Sequence, residues 1–142
     1  MDAAEARERF AMSPVARLAT ADGSGKPHVV PIVFAVIGDT IYSGIDEKPK
    51  QSKALRRLAN VAVNPRVAVL VDHYADDWTT LWWVRADGIA RVVESTDAEA
   101  TVALEHLLLR YAQYADAPPC GPFLVIDVER WSGWESVPRK GS

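Results

Sequence analysis

The densest run of chemically useful side chains is Lys48, Lys50, Lys53, Arg56 and Arg57, all within ten residues of a chain whose formal net charge is −3. Pro49 stands among them, and proline is favoured at the start of a helix. Leu55 and Leu58 give the following residues one apolar side. A helix N-terminus presents free N–H groups and the positive end of the helix dipole. Cations placed there oppose the dipole unless an anion is bound, so the cluster reads as a seat for a phosphate or carboxylate. The competing reading is a solvated helix face, which most charge runs are.

A second cation, Arg17, stands in the otherwise apolar run Val15-Ala16-Arg17-Leu18. Strand alternation puts Val15 and Arg17 on one face and Ala16 and Leu18 on the other. Arg17 either lines a groove for an anionic group or makes an ion pair on a solvated face. Trp78 follows two aspartates and precedes Thr79 and Thr80, and a tryptophan in so polar a loop is a candidate wall for a planar-ring pocket. Trp82 and Trp83 read as core or dimer packing.

Several chemistries are disfavoured by what is missing. No Gly-x-Gly-x-x-Gly follows a strand, so a Rossmann-type nicotinamide site is not expected. His28, His73 and His106 lie far apart, without the spacing of metal ligands, and no metal is expected. The single cysteine, Cys120, sits in a proline-rich turn with no evident base; it excludes an internal disulfide and suits a reducing compartment. The acidic N-terminal decapeptide lacks the features of a signal peptide, and no apolar run is long enough for a membrane helix; the cytoplasm is the expected location. The mild negative charge argues against nucleic-acid binding.

The elements that must position these residues follow from periodicity. Residues 2–11 read as a short helix. Residues 15–20, 28–36 and 40–44 read as three strands joined by turns at Asp22-Gly23-Ser24-Gly25 and Gly38-Asp39, an antiparallel meander. Pro31 lies inside the second strand, which must be interrupted, bulged or at an edge there. The cationic helix comes next. Strands are then expected at 67–71, 81–85 and 88–94, a long helix over 96–114, and a last strand from Phe123 towards Trp134. At 142 residues the chain has room for one domain, 1–142, and the mostly antiparallel strands with a few covering helices predict a mainly β barrel.

Four segments in this order, Val15 to Thr20, Gly25 to Phe34, Lys48-Pro49-Lys50 and Asn64-Pro65-Arg66-Val67, resemble the pyridoxamine-phosphate-oxidase-like superfamily. The similarity is greatest to its small oxidoreductases that use the deazaflavin coenzyme F420 in place of FMN. The resemblance implies a six- to seven-stranded antiparallel split β-barrel of the FMN-binding type. It also implies a homodimer with the cofactor at the subunit interface. On that basis Lys50 contacts the cofactor phosphate, with Lys48 and Pro49 beside it. Val15, Ala16, Arg17 and Ser43 line the site, Pro31 flanks the tricyclic ring, and Trp78 and Thr79 come from the partner subunit. Five cations are more than one phosphate needs, so Lys53, Arg56 or Arg57 would meet the glutamates of the deazaflavin tail. The activity so implied is hydride transfer between the reduced cofactor and an unsaturated small organic substrate. An FMN-dependent oxidase and a non-catalytic carrier are the alternatives.

Overall fold

The computed structural model describes residues 1–45 and 52–136, with the side chains of residues 52–55 left aside. Helix α1 (Ala3–Met12) is capped by the Asp2 carboxylate, which accepts the Glu5 N–H at 2.9 Å. Strands β1 (Ala16–Ala21) and β2 (Pro27–Ile32) form a hairpin, followed by β3 (Ala35–Ile37) and β4 (Thr40–Gly44). Helix α2 (Ser52–Val63) leads to β5 (Arg66–His73). After a single tight helical turn at Trp78–Thr80 come β6 (Trp82–Val93), helix α3 (Ala98–Arg110) and β7 (Phe123–Glu135).

All described pairings are antiparallel, in one sheet of seven strands ordered β2-β1-β5-β6-β7-β4-β3. Ile32 at one edge and Ile41 next to the other belong to the same buried cluster as Leu18, Val69, Val84 and Ile126. Both ends of the sheet therefore pack on one core, and the sheet curls into a barrel. Its edges, β2 and β3, are consecutive in sequence yet not paired with each other. This is a split β-barrel, with the split spanned by Val33 and Phe34. Helix α1 closes one end, with Phe10 fully buried against Phe34 and Trp131 at ring separations of 4.9 and 5.2 Å. A second cluster joins Ala100, Ala103 and Leu107 of α3 to Tyr42, Phe123 and Val125.

Three details depart from the periodicity. The expected strand 28–36 is two strands, and the break falls at Val33-Phe34 rather than at Pro31. Pro31 is accommodated because β2 is an edge strand, where its missing N–H costs no ladder bond. The two strands expected at 81–85 and 88–94 are one strand, bulged at Asp87/Gly88, where a Cβ on Gly88 would lie 2.5 Å from the Asp127 carbonyl oxygen. The long helix expected to reach residue 114 ends at Arg110, and a further short turn covers Ala112–Ala115.

Candidate functional site

The barrel's split carries a cleft of about 290 Å³ lined by Val15, Pro31, Ile32, Val33, Ser43, Gly44, Arg57 and Tyr114. Its position follows from the topology. Where β2 leaves the sheet at Ile32, the ladder to β1 stops, and β4 ends nearby at Gly44. The result is a gap with apolar side walls, a serine and glycine floor, and one guanidinium contributed by α2.

The backbone at the break is held by side chains. Ser43, fully buried, donates its hydroxyl to the Val33 carbonyl at 2.9 Å. The Phe34 N–H donates to the Tyr111 hydroxyl at 3.1 Å, and the Phe34 carbonyl accepts Arg110 Nη1 at 2.7 Å. Buried main-chain groups outside a ladder need partners of this kind. Gly44 has a packing reason to lack a side chain, since a Cβ there would sit 2.9 Å from Pro119 Cβ. Beside the cleft, and sharing Val33 and Tyr114 with it, lies a second pocket of about 280 Å³ that adds Tyr111 and Gln113.

Of the residues expected at a site, the structure brings Val15, Pro31, Ser43 and Arg57 into this one cleft. The other placements differ. Ala16 is fully buried with its side chain in the core and does not line the cleft. Arg17 is exposed, opposite Pro31 and Leu70 in register, as the alternation of β1 requires. Arg56 is exposed and does not line the cleft. Trp78 is 77 % exposed, and neither it nor Thr79 lines the cleft of this chain. Lys48, Pro49 and Lys50 lie outside the described residues, as does the side chain of Lys53. Val33, Gly44 and Tyr114 were not singled out by their sequence. Only the interrupted strand around Pro31 pointed towards Val33.

Among the described residues, two further cavities exceed it in volume. One of about 550 Å³ runs between α1 and Trp82, lined by Glu5, Glu8 and Arg9 among others. Its two carboxylates repel an anion, and Arg9 is engaged by Glu135 at 3.0 Å and by the Trp82 ring at 5.2 Å. The other, of about 360 Å³, lies on the outer sheet face among Leu70, Asp72, Tyr74, Trp83 and Arg85. Neither combines an interrupted strand with a cation and apolar walls. Among the described residues no group of three or more His, Cys, Asp or Glu side chains is placed to hold a metal ion, and no helix is long and apolar enough to cross a membrane.

The fold has solved relatives of nearly the same length. A conserved hypothetical protein from Mycobacterium tuberculosis superposes with a TM-score of 0.74 at 24 % identity, over 100 % of this chain and 92 % of that one. A protein from Mesorhizobium loti described as FAD-binding gives 0.72 at 22 % identity, over 94 % of both chains. The heme storage protein HutZ from Vibrio cholerae gives 0.72 at 18 % identity, over 95 % of both. Identities this low establish the shared fold only. No curated protein is significantly similar to the chain. The family model for pyridoxamine 5'-phosphate oxidase matches residues 3–135, nearly the whole chain, and the protein belongs to that family.

Proposed function

We propose that this protein binds a flavin-like cofactor in the cleft at the barrel's split and uses it for redox chemistry on a small organic substrate. The observation that carries the reading is the cleft itself: apolar walls from Val15, Pro31, Ile32 and Val33 suit a planar ring, and Arg57 supplies a cation for an anionic group. Among flavin-like cofactors we favour the deazaflavin coenzyme F420. Its tail carries a phosphate and several glutamates, and Lys48, Lys50, Lys53, Arg56 and Arg57 are more cations than one phosphate requires. Lys50 would hold the phosphate, and Lys53, Arg56 and Arg57 the carboxylates. When bound, such a group supplies hydride transfer to an electron-poor double bond. The chain's own part is to position the ring, exclude water and hold the substrate, for which the adjoining pocket of Val33, Tyr111, Gln113 and Tyr114 is the natural seat.

About 290 Å³ is small for a whole cofactor of this class, so a second surface must cover the remainder. We take that surface to be another copy of the chain. The outer sheet face leaves Val29 and Leu70 exposed near Arg17, with Tyr74 exposed just past the end of β5, apolar surface of the kind that marks an interface. In a homodimer built on it, the exposed Trp78 and Thr79 would be available to the partner's cleft.

An FMN-dependent oxidase is the second reading, favoured by the family's description and by flavin-binding proteins of the same fold. A titration of the protein with coenzyme F420 and with FMN, followed by fluorescence at two salt concentrations, separates the two. The deazaflavin reading expects tighter F420 binding that weakens as salt rises. Preference for FMN favours the oxidase, and binding of neither removes the flavin reading. Turnover with a panel of enones then distinguishes an enzyme from a carrier. Charge reversal at Lys53 and Arg57 tests the tail assignment, and unchanged F420 affinity in that variant would contradict it.

A further inference from the structure

Two consecutive side chains at the C-terminal end of α3 hold both strand entries that wall the cleft. Arg110 Nη1 donates to the Phe34 carbonyl at 2.7 Å, and Nη2 donates to the Ser13 carbonyl. The Tyr111 hydroxyl lies 3.0 Å from both the Pro14 and Phe34 carbonyl oxygens and accepts the Phe34 N–H at 3.1 Å. Ser13 and Pro14 lead directly into Val15, and Phe34 follows Val33; Val15 and Val33 both line the cleft. These contacts span 76 to 97 residues of sequence, so no local turn can replace them.

The arrangement is specific to an arginine. Among the described residues no carboxylate pairs with Arg110. Its charge is met by two main-chain carbonyls, by the Phe34 ring at 4.7 Å and by the Tyr111 ring at 5.3 Å. A planar fork can reach two carbonyls on separate segments while stacking on aromatic faces, and an ammonium cannot do both. The position at the end of α3 also places the cation where the helix dipole favours it.

We propose that Arg110 and Tyr111 act as a clamp that sets the width of the cleft, with Arg110 as the positioning residue for whatever binds there. The role of the clamp in cofactor binding rests on the function proposed above; its role in holding the two walls does not. Arg110 itself lines neither the cleft nor the adjoining pocket, so it acts through the Ser13-Pro14-Val15 and Val33-Phe34 segments.

The test has two arms, run on Arg110→Lys, Arg110→Met and Tyr111→Phe, with Val84→Ala as a core variant that lowers stability away from the clamp. In the first arm, amide hydrogen exchange is followed in protein without added cofactor. Exchange at Phe34 is expected to rise at least tenfold in all three clamp variants, with Val69 and Leu124 in the core strands unchanged. In the second arm, affinity for coenzyme F420 and for FMN is measured by fluorescence below the melting temperature of every variant. Arg110→Lys is expected to weaken the bound cofactor about tenfold although it keeps the charge, while Val84→Ala keeps wild-type affinity. Wild-type exchange in Arg110→Lys overturns the clamp. Equal loss of affinity in Val84→Ala reduces Arg110 to general stability and overturns its positioning role. Should the unaltered protein bind neither cofactor, the flavin reading fails while the exchange arm still decides the clamp.

Discussion

The two ends of α3 are both tied to the barrel by an arginine, and the ties are of different kinds. At the N-terminal end, Arg91 grips Glu99 with two bonds of 2.6 and 2.8 Å and reaches Asp127 at 2.9 Å, while Tyr42 donates to Glu99 at 3.0 Å. There the cation is matched by carboxylates, nothing lies between them for a ligand to occupy, and the result is a structural brace. At the C-terminal end, Arg110 is met by carbonyls and rings, and the segments it holds are the walls of a cleft. Matched charges mark a region whose work is stability. A charge met by main-chain carbonyls and aromatic rings beside a cavity is, in the clamp proposed above, at work shaping a site.

The largest effect should come from the residue that serves both ends. Leu107 is fully buried where α3 packs on the sheet, and Leu107→Ala should cost roughly 2–5 kcal/mol in chemical denaturation, loosening brace and clamp together. Arg110→Lys should weaken cofactor affinity about tenfold, about 1.4 kcal/mol in binding, with a smaller change in melting temperature. Arg91→Gln should do the reverse. It should lower stability by about 1 kcal/mol, held down by partial exposure of the pair, and leave the cofactor dissociation constant unchanged. Loss of affinity on altering Arg91 would erase the distinction between the two ends.

The smallest effects are in pH dependence. Hydrogen bonds from Arg91 hold the Glu99 carboxyl below its ordinary value of 4.5, so its contribution to stability is present above that value and is lost as pH falls through the lowered one. Glu99→Gln should therefore flatten the acid limb of the stability profile. At the other extreme, burial and then the bond to Glu99 push the Tyr42 phenol from 10.0 up to about 12. Its contribution is full below pH 10 and is lost between there and about 12. In Glu99→Gln the phenol should titrate lower but still above 10.0, because burial is the larger cause; ultraviolet titration of the tyrosines reads this directly.

Much of the barrel was legible in the sequence because its signals are local. Alternation gave β1 and separated Arg17 from Ala16 onto opposite faces, with the structure showing Arg17 to be the outward one, and turn residues placed the Gly38-Asp39 hairpin, where Gly38 adopts a φ of 61°. Of the three outcomes that Pro31 allowed, an interruption, a bulge or an edge, the edge is the one the sheet shows. The exact break, at Val33-Phe34, was not legible, because Arg110 and Tyr111, which hold it together with the nearer Ser43, stand 76 and 77 residues further along the chain. The same holds for Tyr114 in the cleft wall, which reads as the last residue of the helix expected over 96–114. Ridge and cleft residues supplied by distant elements leave no periodic trace. Bulged β6 looked like two strands because Gly88 is a turn residue by composition, and only the Asp127 backbone beside it explains the glycine.

The central claim is that the cleft at the barrel's split is where a flavin-like cofactor binds. Val15 lines that cleft and is 38 % exposed, so Val15→Trp fills the cleft without disturbing the core. Equilibrium titration of the unaltered protein and of Val15→Trp with coenzyme F420 and with FMN tests the claim directly. The account predicts saturable binding of at least one cofactor to the unaltered protein and a loss of more than tenfold in Val15→Trp at unchanged melting temperature. Undiminished binding by Val15→Trp, or no binding by the unaltered protein, would contradict it.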